Sequence, residues 1–494
     1  MNRISLVFAL ALAGGLAGCS SDSSDGSSGP SDAATGYDAF VPDTGGEDTT
    51  EDDTSNPFDT DFDGDAGAAP QIDRVTIVEN PANPLSVFVE WSTDLEATGA
   101  IDVTCDGEEI GRVVGETAGT FHAGFVMNLL DGASCEAEIS VVTATGATAT
   151  LTEPFTAGSV PDYLPTPEVT VLDADAMQPG FTLHNLSNHF DGRPFVAVLT
   201  DPQGRTRWIW RANTAQAGSD NDTRVVDGGI MVGGTRGQVL PTEVAWDGTI
   251  VWQGDFGMHH HLQPIGDEGH VVYLRESDLC EDELAGEIVE LDRETGEEVW
   301  TWRICDHYTP PIVRPDWSHL NTAEVSLNDT HFVVSSREQH TIFLVERETG
   351  DIVWSVGLYG TLDLEDDGYF WRQHAPRLID DEGTRMLLFD NGQWGERAYS
   401  RALELAIDAE AGTAEVAWQY VADPEIFADI WSDADRLPNG NTLITYGLRS
   451  EENPSHQIEV TTDGTEVWHA VWPVKWGMYR SERVVPPTGY LRSE

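Results

Sequence analysis

The sequence predicts an all-β chain, an N-terminal β-sandwich followed by a six-bladed β-propeller. Three observations point there. A turn followed by a strand ending in tryptophan recurs six times, about 40–65 residues apart, the spacing of four-stranded blades with insertions. Six apolar strands lie between those repeats. Ahead of them, roughly ninety residues carry several short alternating strands, the pattern of a sandwich.

The chain opens MNRISLVFALALAGGLAGC. Arg3 supplies a short positive region, and residues 4–15 form an apolar core too short to span a membrane as a stable helix. Leu16-Ala17-Gly18-Cys19 resembles the bacterial lipoprotein lipobox, whose cysteine is lipidated and becomes the mature N-terminus. The expectation is an exported protein anchored to the cell envelope through Cys19, at the outer membrane or in the periplasm. Residues 20–70 hold Ser, Gly, Asp, Thr and Glu with no Lys or Arg, cannot bury a core, and read as a disordered acidic tether. From 71 to 158, strands at 74–78, 87–91, 101–105 and 135–143 resemble a fibronectin type III domain, with Trp91 in its core. Gly158-Ser159-Val160-Pro161 opens a proline-rich linker.

The propeller is expected over 169–494. Its repeats are DPQGRTRWIW (201–210), WDGTIVW (246–252), DRETGEEVW (292–300), ERETGDIVW (346–354), AGTAEVAW (411–418) and TDGTEVW (462–468). The intervening apolar strands are 225–233, 270–275, 331–337, 385–391, 441–447 and one near 484–491. EVTVLDA, from Glu168, is placed on the last blade to close the ring. The tryptophans read as packing between blades.

Charge is extreme: 26 Lys+Arg against 86 Asp+Glu, net −60. Such a surface repels phosphates, so nucleic acid and anionic lipid are excluded as partners, and the only membrane contact expected is the N-terminal lipid. An anionic substrate would need a recessed cationic pocket. Of five cysteines, four remain after Cys19; in an exported protein an even set suggests disulfides, by proximity Cys105–Cys135 and Cys280–Cys305. Their spacing matches no zinc pattern, so no metal is expected.

Three consecutive repeats place histidine where a blade's innermost strand begins: His259 to His261, His319 and His374; the next places Asp433 there. Equivalent positions in a ring converge on its axis, so these imidazoles should share one small volume. His319-x-Asn321, Ser335-Ser336-Arg337, Gln373-His374, Phe389-Asp390-Asn391-Gly392 and Ser400-Arg401, in that order, resemble the bacterial arylsulfate sulfotransferases. That family joins a β-sandwich to a six-bladed propeller and moves sulfuryl groups between phenols, with no nucleotide donor and no cofactor. The resemblance implies that His374 is the nucleophile, forming a sulfohistidine, and that His319 and Arg337 bind sulfuryl oxygens beside Asn321. One of the three consecutive histidines supplies a fourth member. His260 is the choice, with His261 beside it on the substrate. Asn391 and Arg401 either line the channel or fix hydrogen bonds within the blade.

The chemistry fits these residue types. Sulfuryl transfer, like phosphoryl transfer, is a loose in-line displacement with charge spread over three nonbridging oxygens. A neutral imidazole is a competent nucleophile, and an arginine fork holds two oxygens at once. The implied partners are a phenolic sulfate donor and a phenol acceptor. The competing reading is a non-catalytic surface lipoprotein whose propeller binds a partner or glycan. A quinone-dependent dehydrogenase, which also repeats Gly and Trp turns, typically has eight blades.

Overall fold

The computed structural model describes residues 67–494 except 189, 212–221, 235–238, 267–268, 278, 281–284, 312–313, 448–450 and 494. The expected lipidation site Cys19 and nearly all of the 20–70 tether lie outside those residues.

Val87–Cys105 is one strand of 19 residues, where the sequence pattern gives two. Exposed residues 94–96 imitate a turn, but they lie at a bend in a continuous strand, where the ladder shifts register between Ser92 and Ala97. The first half pairs with Ile72–Glu79 and Gly119–Val126. The second half pairs with Glu108–Val114 and Ser134–Val142, and Thr148–Thr156 extends that sheet. Trp91, Ile101, Val103, Ile139 and Val141 fill the core together with the Cys105–Cys135 disulfide.

Six sheets form the propeller, antiparallel except where Asp363–Leu364 adds in parallel to Thr413–Tyr420 at the outside of blade 5. The innermost strands, blades 1 to 6 in turn, are Ser481–Val484, Asp222–Val226, His259–Ile265, Leu320–Ser326, His374–Leu378 and Asp433–Arg436. Blade 1 draws on both ends of the chain, because Phe181–Asn188, Arg193–Thr200 and Thr206–Arg211 build outward from Ser481–Val484. Glu168–Leu172 lies on the outside of blade 6, where EVTVLDA was expected. Two strand expectations need correction. Segment 225–233 is a hairpin, Asp222–Val226 and Gly229–Gly233, turned at Asp227-Gly228. Segment 484–491 spans two strands: Ser481–Val484 belongs to blade 1, whereas Gly489–Ser493 leaves the propeller and pairs with Gly119–Val126 of the sandwich.

The tryptophan repeat has a definite job. Trp208 Nε1 donates to Trp246 O (2.8 Å), Trp252 to Arg293 O (3.3 Å), Trp302 to Gly350 O (2.9 Å), Trp418 to Thr462 O (2.9 Å) and Trp468 to Pro202 O (2.8 Å). Each bond runs from the fourth strand of one blade, counted from the axis, to a turn of the next. In blades 1 and 3 the donor is the tryptophan two residues from the motif position, on the same face of the strand. In blade 4, Trp354 packs against Leu362 and Leu364. The Cys280–Cys305 disulfide lies in the core between blades 3 and 4. At the base, Arg205 meets Glu108 of the sandwich bidentately at 2.7 and 2.8 Å, and Phe125 and Met127 enter the core of blade 1.

Candidate active site

The inner strands of blades 3, 4 and 5 start with a kink. His260 (φ 62°), His319 (φ 37°) and Ala375 (φ 49°) all occupy the left-handed region, which disfavours side chains with a Cβ. At the same places the ladders slip, between His259 and Leu262, Leu320 and Thr322, and His374 and Arg377. A bulge breaks strict alternation and re-aims side chains. Three neighbouring blades thereby turn imidazoles toward one axis.

The rings meet there. His260 lies edge-on to His319 at 5.0 Å between centroids and edge-on to Tyr479 at 5.8 Å. The Tyr479 ring also stands edge-on to His374 at 6.2 Å, so one tyrosine bridges two of the histidines. His259 and His260 face each other through their Nδ1 atoms at 3.0 Å, one donating and one accepting.

His374 is held in one tautomer. Asn391 Nδ2 donates to Ala428 O (2.7 Å) and Trp431 O (3.0 Å), which fixes the amide so that Oδ1 faces the imidazole. His374 Nδ1 lies 2.7 Å from that oxygen and 3.1 Å from Arg372 O. Two acceptors require a proton on Nδ1, leaving the lone pair on Nε2. Burial drives the His374 pKa well below its ordinary value, helped by the Arg337 charge and opposed by the Asn391 bond. Burial does the same to His260, reinforced by His319, His259, His374 and Arg337. Both rings are therefore neutral near pH 7.

Arg337 is nearly buried, its backbone N–H bonded to His319 O at 3.2 Å. Its guanidinium meets Glu338 and reaches Asp429 O at 3.4 Å. Arg314 and Arg372 converge on the same Glu338. One carboxylate against three guanidiniums makes this mouth cationic inside an acidic molecule, the local reversal an anionic substrate needs.

The other expected site residues divide. Asn321 is fully buried; its Nδ2 donates to Gln373 O (2.8 Å), tethering the residue before His374, while its Oδ1 has no hydrogen-bond partner among the described residues. Asn391 positions His374 rather than lining the channel. Arg401 is not placed for substrate: it donates to Asp390 (3.0 Å), Gln419 (2.7 Å) and Tyr369 O (2.9 Å), all inside blade 5. His261 faces away from His260 because the bulge separates them. Its Nδ1 lies 3.1 Å from Arg224, and burial followed by the Arg224 charge lowers its pKa to about 3.

Beneath the histidines the channel holds a buried ionic layer. Arg224 bonds Asp222 (3.0 Å) and Glu324 (3.2 and 2.9 Å), and Arg377 bonds Asp433 (3.1 Å) and Asp435. Asp433 thus belongs to this layer and not to the histidine cluster.

Three residues of the cluster escape a sequence reading. Tyr479 donates its hydroxyl to Asn321 O (3.1 Å) and comes from the C-terminal segment that completes blade 1. Arg480 follows it into the channel. Asp316, whose Oδ2 lies 2.5 Å from His319 Nδ1, had a signal in Asp316-x-x-His319.

Converging imidazoles and an arginine at one mouth of a propeller form a recessed polar site of a size and charge that suits a small oxyanion group. The sequence profile of the family described as Arylsulfotransferase (ASST) matches residues 168–477, and the chain belongs to that family. No curated protein matches it. Among solved structures, it resembles the periplasmic gluconolactonase of Pseudomonas aeruginosa (11% identity, TM-score 0.37, covering 79% of this chain and 100% of that one). It also resembles Kluyveromyces lactis Hsv2 (9% identity, TM-score 0.31, 72% and 97%) and Kuenenia stuttgartiensis hydrazine synthase (10%, 0.34, 63% and 88%). Scores this low leave the fold to rest on the strand ladders and the function on the family match.

Proposed function

We propose that the protein transfers a sulfuryl group from a phenolic sulfate ester to a phenolic acceptor through a sulfohistidine at His374, without a nucleotide. The pinned Nδ1–H of His374 carries this reading, because it presents a neutral Nε2 lone pair beside Arg337. Nε2 attacks sulfur in line as the S–O bond to the aryl oxygen breaks. Arg337 holds nonbridging oxygens with its planar fork. His319, oriented by Asp316, gives a proton to the departing phenolate and takes one back from the acceptor phenol. The acceptor oxygen then attacks sulfur and the N–S bond breaks, restoring His374. Splitting one transfer into two displacements at a fixed imidazole is ordinary covalent catalysis.

Intact-mass spectrometry after brief exposure to a chromogenic aryl sulfate tests this. The expected result is one sulfuryl adduct, mapped to His374, absent in His374→Ala and discharged by added phenol. Steady release of inorganic sulfate without an acceptor would make the protein a hydrolase instead. The same proposal places it at the cell envelope on a lipidated Cys19, which the mass of the mature N-terminal peptide checks.

A further inference from the structure

Arg480 is only 2% exposed, yet none of its three guanidinium nitrogens has a hydrogen-bond partner among the described residues. Its neighbours in the channel differ: Arg224 bonds Asp222, Glu324 and His261, and Arg377 bonds Asp433 and Asp435. Arg480 has charge compensation only, with Nε 3.6 Å from Asp222 Oδ1, beyond hydrogen-bond reach. Its guanidinium stacks on the Tyr479 ring at 5.2 Å, the ring that borders both His260 and His374. Five buried N–H groups without acceptors are costly to maintain. Through Tyr479 they adjoin the histidines and through Asp222 the ionic layer, and the Arg480 charge acts on His374 and on His261 alike.

We infer that Arg480 is a second guanidinium of the site, donating from the channel floor to nonbridging oxygens of a tetrahedral oxyanion bound beside His374. The inference rests on the proposed sulfuryl chemistry for its natural ligand, but anion binding itself is independent of turnover. Arg337 closes the pocket from the rim and Arg480 from below, so the two charges grip different oxygens. Asp222 is the counter-ion that keeps the second charge in place while its N–H groups stay available.

Inorganic sulfate is the probe, with binding measured by titration calorimetry on the full chain. Arg480→Lys retains the charge and loses the fork. Arg480→Gln with Asp222→Asn removes a charge of each sign, so that no bare carboxylate is left by the loss. Both should weaken sulfate binding on the order of tenfold or more, the size of a lost charge-assisted contact, with an unchanged circular dichroism spectrum. Sulfate affinity within about twofold of wild type in folded Arg480→Lys overturns the inference, as does wild-type protein that binds no sulfate; if the double variant fails to fold, the lysine variant decides. Turnover with an Arg480-independent sulfate affinity sinks this inference and spares the proposed function. An Arg480-dependent sulfate affinity without turnover does the reverse.

Discussion

Asn391→Ala isolates the step on which the chemistry turns. In wild type, the Asn391 amide accepts from His374 Nδ1 at 2.7 Å. In the resting enzyme this is a bond between neutral groups, worth about 1 kcal/mol. In the proposed attack the ring gains positive charge as Nε2 bonds to sulfur, and the same contact becomes charge-assisted, roughly 1.5–3 kcal/mol. Only the difference, about 0.5–2 kcal/mol, lowers the barrier, which converts to roughly a 2–30-fold loss in the rate of His374 sulfation. The Arg372 carbonyl at 3.1 Å still favours the same tautomer, so the loss should stay within that range. A rapid-quench single-turnover experiment with an aryl sulfate, read by intact mass, measures it directly. The Ala428 and Trp431 carbonyls each lose the Asn391 amide as a donor as well, costing stability, which a denaturant titration reports separately. A sulfation rate equal to wild type in a folded variant would refute the claim that the Asn391 contact strengthens as the ring gains charge, and so would a loss confined to donor affinity.

Further outcomes follow from the same geometry. The folded pKa values of His374 and His260 lie below the ordinary value, so their neutral forms survive as pH falls, and neither should give kcat/KM an acid limb near 6.5; an acid limb centred at or above about 6.5 contradicts the burial argument. Arg337→Lys, which keeps charge but loses the fork, should cut kcat/KM by about 10-fold or more, checked against unchanged circular dichroism. Asp316→Asn replaces the acceptor on His319 with an amide and should slow turnover of donors with poor leaving groups more than of nitrophenyl donors; equal slowing argues against a proton role. Trp302→Phe removes the bond to Gly350 O and should destabilise the chain by about 1–3 kcal/mol in guanidinium unfolding, with no change in KM.

Much of the architecture was legible because it repeats. Each tryptophan turn recurs since each blade must be fastened to its neighbour, and a constraint met in blade after blade leaves a periodic mark. The histidines were legible because ring geometry sends equivalent positions to one axis. What stayed hidden depends on contacts between distant segments. Tyr479 and Arg480 read as loop residues until the C-terminal strand pairs with Phe181–Asn188. The role of Asn391 is set by the carbonyls of Ala428 and Trp431, in a loop some forty residues onward. His261 was misplaced beside its neighbour because a bulge, which sequence alternation does not register, points it into the ionic layer. The bend in Val87–Cys105 was missed for the opposite reason, since polar residues there look like a turn.

The ring's seam has a consequence for the order in which the molecule matures. Ser481–Val484 is the innermost strand of a blade whose other three strands are synthesised far earlier, as the Arg480 N–H bonding Asn185 Oδ1 across 295 positions shows. Tyr479 and Arg480 reach the axis only when that strand docks, and Gly489–Ser493 then fastens to the sandwich. A nascent chain lacking its last segment lacks the innermost strand of blade 1 together with Tyr479 and Arg480. The histidine cluster is thus complete only once the chain's last strands have docked, so a truncation before Tyr479 should abolish the proposed His374 adduct, which intact mass checks.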